Sequence, residues 1–278
     1  MVRILADSST LYSPAQAQAE GFDLTPLSVT IDGRSYREFV DITPDAFLEK
    51  IAQGHMPTSS QPAVGDVLAL YEKYAGDEIL HITMADGLSG TYQSAVAAAE
   101  LCREEIPVEV VNSRTLCGPH RCLVQYAARQ ARQGASRAEI LQQVEQRMRT
   151  EKSYLIPADF SYLRRGGRLS PLVSYVGQTV RFVPLLTLTE DSRQLTLAGV
   201  KRTFLQAVDF IARSFVAHGV GENWRITISH AGVPAQARQA RALLSRIFPR
   251  AEIEILPLSP VFITQGGPGC VAIQTIRL

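Results

Sequence analysis

Cysteine is scarce in this chain: Cys102, Cys117, Cys122 and Cys270 are the four present, and none belongs to a Cys-x-x-Cys pair. That spacing argues against a disulfide scaffold or a paired-cysteine metal site and fits a cytoplasmic protein with reduced thiols. Net charge is scarce too. The 28 basic side chains against 27 acidic ones leave +1, so the overall field draws the molecule neither to nucleic acid nor to an anionic membrane. No apolar run approaches the roughly 18 residues of a membrane span. The apolar stretch within "MVRILADSST" is too short for a signal peptide. What the chain does hold is apolar material, 46% hydrophobic against 20% charged over 278 residues. That is enough for a sizeable core, and at this length two domains are expected.

Strand and helix signals alternate through the first half. "RILA" reads as a short strand ending in Asp7-Ser8-Ser9-Thr10, and "LSVTIDGRSYRE" as a hairpin turning at Asp32-Gly33. Thr43 is placed to cap a helix that begins at Pro44. The helical "AVGDVLALYEKYAG" closes on Gly76. "EILHITM" and "VEVVNS" read as buried strands and "LVQYAARQARQG" as a helix. Ser136 and Glu139 form a capping box for a helix that sets Ile140, Leu141, Val144 and Met148 on one face. Such alternation argues for a parallel α/β sheet. After about position 152 the pattern changes. "PLLTLTEDSRQLTLAG" reads as a hairpin, and two helical segments flank the strand "WRITISHAG". The strands "AEIEILPLS" and "CVAIQTIRL" enclose a loop "TQGGPG". These features describe an α+β second domain, and the division is expected at 1–155 and 156–278.

One stretch points to chemistry. "HITMADGLSGTYQSAVAAAE" delivers a strand into Gly87-Leu88-Ser89-Gly90 and continues as an Ala-rich helix. Free N–H groups at a helix start favour an anion, and glycine lets a ligand approach closely. Gly87-Leu88-Ser89-Gly90-Thr91 also nearly matches the G-x-S-x-G nucleophile elbow. On that reading Ser89 is an esterase nucleophile, with Asp159 or Asp191 and His218 or His230 following in the right order. The second glycine is displaced, however, and Thr91 stands where the motif packs a glycine. The competing reading makes Ser89 a hydrogen-bonding, non-nucleophilic serine. Cys117-x-x-His120-x-Cys122 lacks the second ligand pair of a metal site. Gly266-Gly267-Pro268-Gly269 lacks the Lys-Ser/Thr of a P-loop. "LRRGGRLS" reads as an anion site, a docking patch or a solvated basic turn.

Taken in order, "ADSSTL", "SVTIDGRSYRE", "TSSQPAVGD", "LSGTYQSA", "VNSRTLCG", "YLRRGGRLS", "PLLTL" and "GGPG" resemble the DegV family. The resemblance runs from about position 3 to the C-terminus. It implies an N-terminal three-layer α/β/α domain with a parallel sheet, then a C-terminal two-layer α+β domain with a mixed sheet. It also implies a bacterial fatty-acid-binding protein that does no chemistry itself. Such a carrier presents a long-chain fatty acid such as palmitate to a dihydroxyacetone-kinase-like fatty acid kinase, for phospholipid synthesis. The carboxylate site implied is Ser89 with the Gly90 N–H beside it, Ser59 where the family has threonine, and Gln265 where the family has histidine. Glutamine can donate to a carboxylate but carries neither a proton nor a positive charge. Arg168, with Arg164 and Arg165 beside it, matches the family's kinase-contact loop. No metal, catalytic residue or cofactor is implied beyond the lipid itself.

The tail is expected to drive binding. A carboxylate held by neutral donors is tolerable only in a dry, rigid site. Burying acyl CH₂ groups at about 0.8 kcal/mol each gives a long chain on the order of 10 kcal/mol gross. Two alternatives stand beside the carrier: an acyl hydrolase using Ser89, and a lipid sensor or store that meets no kinase.

Overall fold

The computed structural model describes residues 1–171 and 182–278. The chain opens with β1 (Val2–Asp7), α1 (Pro14–Glu20) and β2 (Asp23–Thr25). A hairpin of β3 (Ser28–Ile31) and β4 (Arg34–Arg37) leads to α2 (Pro44–Ala52), β5 (Thr58–Ser60) and α3 (Val64–Glu72). Next come β6 (Glu78–Thr83), α4 (Thr91–Leu101), β7 (Val108–Asn112), α5 (Cys117–Arg132) and α6 (Arg137–Met148).

Four of these strands form a parallel sheet in the order β2-β1-β6-β7. Side-chain alternation along the strands explains the layers. Ile4, Ala6, Leu80 and Ile82 pack with Leu123, Val124, Ile140 and Val144 of α5 and α6. Leu5 and Ile79 point the other way, against Val67, Tyr71, Ala95 and Ala98 of α3 and α4. The result is three layers, helix–sheet–helix. A smaller antiparallel sheet, β4-β3-β5, stands apart from it. Its hairpin turns where expected, with Asp32 at φ 50° and Gly33 at φ 77°, the left-handed pair that a two-residue turn needs.

The second half contributes β8 (Lys152–Ile156), α7 (Phe160–Gly166), β9 (Val183–Leu188), β10 (Leu195–Lys201) and α8 (Phe204–Ala217). It ends with β11 (Trp224–His230), α9 (Pro234–Ile247), β12 (Glu252–Pro257), α10 (Pro260–Gly266) and β13 (Val271–Arg277). Six strands make one mixed sheet in the order β10-β9-β8-β13-β11-β12. Its first strand, β8, spans the division expected at 155/156. α8 and α9 cover one face, where Ile211, Phe215, Ala237 and Leu244 pack on Ile226, Ile228, Val271 and Ile273. The fold is therefore α/β with a parallel sheet followed by a mixed sheet, as expected.

Several helix caps form as the local sequence predicts. Thr43 accepts from the Ala46 N–H with Pro44 at the first helical position, and Ser136 with Glu139 closes the reciprocal capping box. The helix expected to begin at "CGPHRC" does so, at Cys117, and two other boundaries differ from the sequence reading. α3 ends at Glu72, before the turn that contains Gly76. "TQGGPG" is not all loop: Thr264, Gln265 and Gly266 are the last turn of α10. Its "PVFIT" run is β-branched and aromatic and reads locally as strand. Burial overrides that preference, since Pro260 to Thr264 are all buried.

Candidate functional site

The face of the mixed sheet opposite α8 and α9 looks onto a cavity of about 400 Å³. Period-two alternation on β13 builds that wall. Val271 and Ile273 enter the helix-covered core, while Cys270, Ala272 and Gln274 line the cavity. Leu155 and Leu188 extend the apolar wall, and Leu27, Met84 and Leu88 close it from the first half of the chain.

Polar groups gather at one end. β6 runs out at Thr83, and the chain turns through Ser89 into α4. Ser89 Oγ accepts from the Thr91 N–H at 3.3 Å and pairs with the Thr91 hydroxyl at 2.8 Å. Gly90 is the N-cap of α4, so the helix's first amides lie beside Ser89 with no partner within the helix. A Cβ at Gly90 would collide with Gln61 Oε1. Gln61 is fixed there by donating to Ser94 Oγ at 2.8 Å. Opposite, Ser59 stands on β5, paired with Val29 of β3. Its hydroxyl accepts from Gln265 Nε2 at 2.9 Å. Ser59, Ser89, Gly90 and Gln265 all line the one cavity.

Gln265 owes its position to contacts remote in sequence. Glu38, wholly buried, accepts from the Val261 N–H at 3.0 Å and from Ser8 Oγ at 2.5 Å. It thereby caps α10 across 223 residues of chain. Burial lifts its carboxyl from 4.5 to about 7. At the other end of α10, Gly166 leaves room for Gln265 Oε1, which a Cβ there would strike. Neither Glu38 nor Gln61 stood out in the sequence. Their roles arise from pairings between distant segments, which no local pattern records.

Of the basic residues, Arg164 and Arg165 lie exposed at the end of α7. Their guanidinium groups sit over Phe160 at 5.9 Å and Tyr162 at 4.5 Å. Arg168 is placed differently: it is half-buried and lines the cavity. The Ser89 loop is also braced from the β9–β10 hairpin, where Arg193 pairs with Asp86 at 3.4 Å.

Three of the expected hydrolase partners hydrogen-bond other groups. His218 donates to the Thr150 carbonyl at 2.9 Å. Asp159 accepts from the Ser161 N–H at 2.8 Å, and Asp191 from the Thr189 hydroxyl at 2.5 Å. Among the described residues no histidine hydrogen-bonds Ser89. The cysteine–histidine run also disperses. Cys117 faces the cavity, Cys122 lies by Arg225, and buried His120 bonds Ser9 Oγ at 2.7 Å and the Ile82 carbonyl at 2.9 Å. No group of three potential metal ligands occurs among the described residues. None of the described helices is long and apolar enough to cross a membrane.

Fold and site together define a class: an α/β protein with a parallel sheet, a mixed sheet and an apolar cavity with a polar end. The chain belongs to the DegV family, whose model matches residues 1–278. A DegV domain-containing protein of Staphylococcus aureus is 26% identical over 278 residues, covering 99% of this chain and 98% of that one. One from Listeria monocytogenes is 29% identical over 280 residues, covering 98% and 97%. Among solved structures, the fatty acid binding protein DegV of Bacillus subtilis matches with a TM-score of 0.90 at 25% identity, covering 100% of this chain and 99% of its own. A DegV family protein of Thermus thermophilus, described for its fatty acid binding, matches with a TM-score of 0.90 at 26% identity and the same coverage.

Proposed function

We propose that this protein binds one long-chain fatty acid and carries it in the cytoplasm without transforming it. The carboxyl group rests on Ser59, Ser89, the Gly90 N–H and Gln265, and the acyl chain lies along the leucine-lined wall toward Ala272. The observation that carries this reading is the convergence of those four groups, from three separate elements, in one largely apolar cavity. Similar solved proteins described as binding fatty acids support it. The division of labour follows from magnitudes. Net gains of about 1 kcal/mol per neutral hydrogen bond fix orientation, while each buried CH₂ adds about 0.8 kcal/mol.

The carrier then presents its carboxyl to a fatty acid kinase, which docks on the basic end of α7 around Arg164 and Arg165, with Arg168 behind them. Delipidated protein incubated with labelled palmitate should take up one equivalent. Addition of a fatty acid kinase and ATP should then give an acyl phosphate that hydroxylamine traps. Uptake without trapped product favours a store or sensor, the reading that Gln265, with no proton to exchange, also suits. Failure of uptake removes the carrier reading altogether.

A further inference from the structure

The polar side chains that line the cavity fall into two groups. One gathers around Ser59, Ser89 and Gln265. The other is Ser153 and Gln274, which face each other in register across β8 and β13. Along β13 the cavity wall runs Cys270, Ala272, Gln274. Cys270 packs against Gly266, the residue after Gln265. Gln274 stands four residues beyond Cys270, roughly 13 Å away at about 3.3 Å per residue. Ala272 and Leu155 make the apolar wall between. Two neighbouring hydroxyls are already engaged: Thr187 donates to the Ser153 carbonyl at 2.8 Å, and Tyr154 pairs with Ser214 at 2.6 Å. Gln274 and Ser153 are only 2% and 8% exposed, so bulk water does not serve them.

Hydrogen-bonding capacity decides what this pair can meet. The Gln274 amide is oriented from both sides. Its Oε1 accepts from the Gly118 N–H at 3.3 Å, and its Nε2 donates to the Leu116 carbonyl at 3.0 Å and to Ser153 Oγ at 2.7 Å. Ser153 Oγ donates in turn to Glu151. Every side-chain N–H and O–H of the pair is thereby spent, while Gln274 Oε1 and Ser153 Oγ each keep a lone pair. A plain hydrocarbon tail leaves those lone pairs unused, and a hydroxyl fills one. We propose that the cavity selects a hydroxylated fatty acid, whose hydroxyl, part-way along the acyl chain, donates to Gln274 Oε1 or Ser153 Oγ. A keto oxygen at the same carbon can only accept, meets two acceptors and is disfavoured. This inference rests on the fatty-acid reading above and names the class of acid within it.

The test compares stearate with hydroxystearates and oxostearates that carry their oxygen mid-chain or beside the terminal methyl. Calorimetry on the full, delipidated chain gives the affinities. The measurements are made at about pH 8, where Glu151, raised by burial from 4.5 to about 7, is ionised and accepts from Ser153. The mid-chain hydroxy acid should bind at least as tightly as stearate. The mid-chain oxo acid, and both acids oxidised beside the methyl, should bind about tenfold more weakly, because each buries an unpaired polar group. Ser153→Ala removes one acceptor and frees a Gln274 N–H, so mid-chain preference should swing to the oxo acid while stearate binds as before. A merely structural role for the pair would weaken all the acids alike. The inference is overturned if the unmodified protein binds the mid-chain hydroxy and oxo acids equally, or if Ser153→Ala leaves their ratio unmoved. Should Ser153→Ala fail to fold, the comparison in the unmodified protein decides the matter. Protein that takes up none of these acids, stearate included, overturns the fatty-acid reading itself, a different result from uptake without discrimination.

Discussion

Leucine in place of Ala272 probes the cavity directly. Ala272 sits mid-wall on β13, opposite Leu155 of β8 and Ser229 of β11 in register. Its side chain faces the cavity, while its neighbours Val271 and Ile273 face the covered core. Leucine adds three carbons that must enter space the ligand tail would otherwise fill. At about 0.8 kcal/mol per buried CH₂, a tail denied three of them loses about 2.4 kcal/mol, or roughly 60-fold in affinity. The ligand-free protein should lose little stability, because the new atoms enter open space. Displacement of a fluorescent fatty acid across a series of chain lengths gives the readout. Short chains should bind as before, long ones should weaken, and the preferred length should drop by about three carbons. Ile273→Val, on the opposite face, should cost about 0.5–1.5 kcal/mol of stability and leave the length profile unchanged. Equal weakening at every length, or none, would refute the placement of the tail along β13.

Ser89→Ala should weaken palmitate roughly tenfold through a lost carboxylate hydrogen bond while long chains remain bound; calorimetry measures the change. The same variant tests the hydrolase alternative, since turnover of an activated ester should be absent with or without Ser89. Replacing both Arg164 and Arg165 by glutamate should abolish kinase-dependent product and leave fatty acid uptake intact, as a partner assay beside a binding assay would show. Glu38 gives a pH prediction. Burial raises it from 4.5 to about 7, so the folded chain keeps a proton that the unfolded chain releases. Its contribution to stability therefore falls as pH rises from about 4.5 to 7 and is level above that. Buried His81, lowered by desolvation to about 4, acts in the opposite sense between about 4 and 6.5. Glu38→Gln removes the falling component, so its stability should climb more steeply with pH than the parent's, by up to about 3 kcal/mol. Denaturant titrations at several pH values would show parallel curves if Glu38 were not the group responsible.

Much of this fold was legible because its signals are local. Asp32-Gly33 can only turn a tight hairpin, Ser136 and Glu139 cap each other within one helical turn, and the strand–Gly/Ser–helix passage at Ser89 carries its own geometry. The family resemblance further singled out Ser59, Ser89, Gly90 and Gln265, which line one cavity. What stayed hidden was long-range. α10 forms against its own propensity because the surrounding core buries it, and its N-terminus is capped by a glutamate 223 positions away. The resemblance assigns Arg168 to a kinase-contact loop. Only the fold shows that Leu88 and Gly166 pull its guanidinium into the cavity wall.

The central claim, that this chain carries a fatty acid, is tested most directly by native mass spectrometry of the freshly purified protein, followed by extraction and identification of whatever is released. The account predicts one long-chain fatty acid per chain, released on denaturation and taken up again from solution. Protein that emerges empty and stays empty when fatty acid is supplied would contradict it.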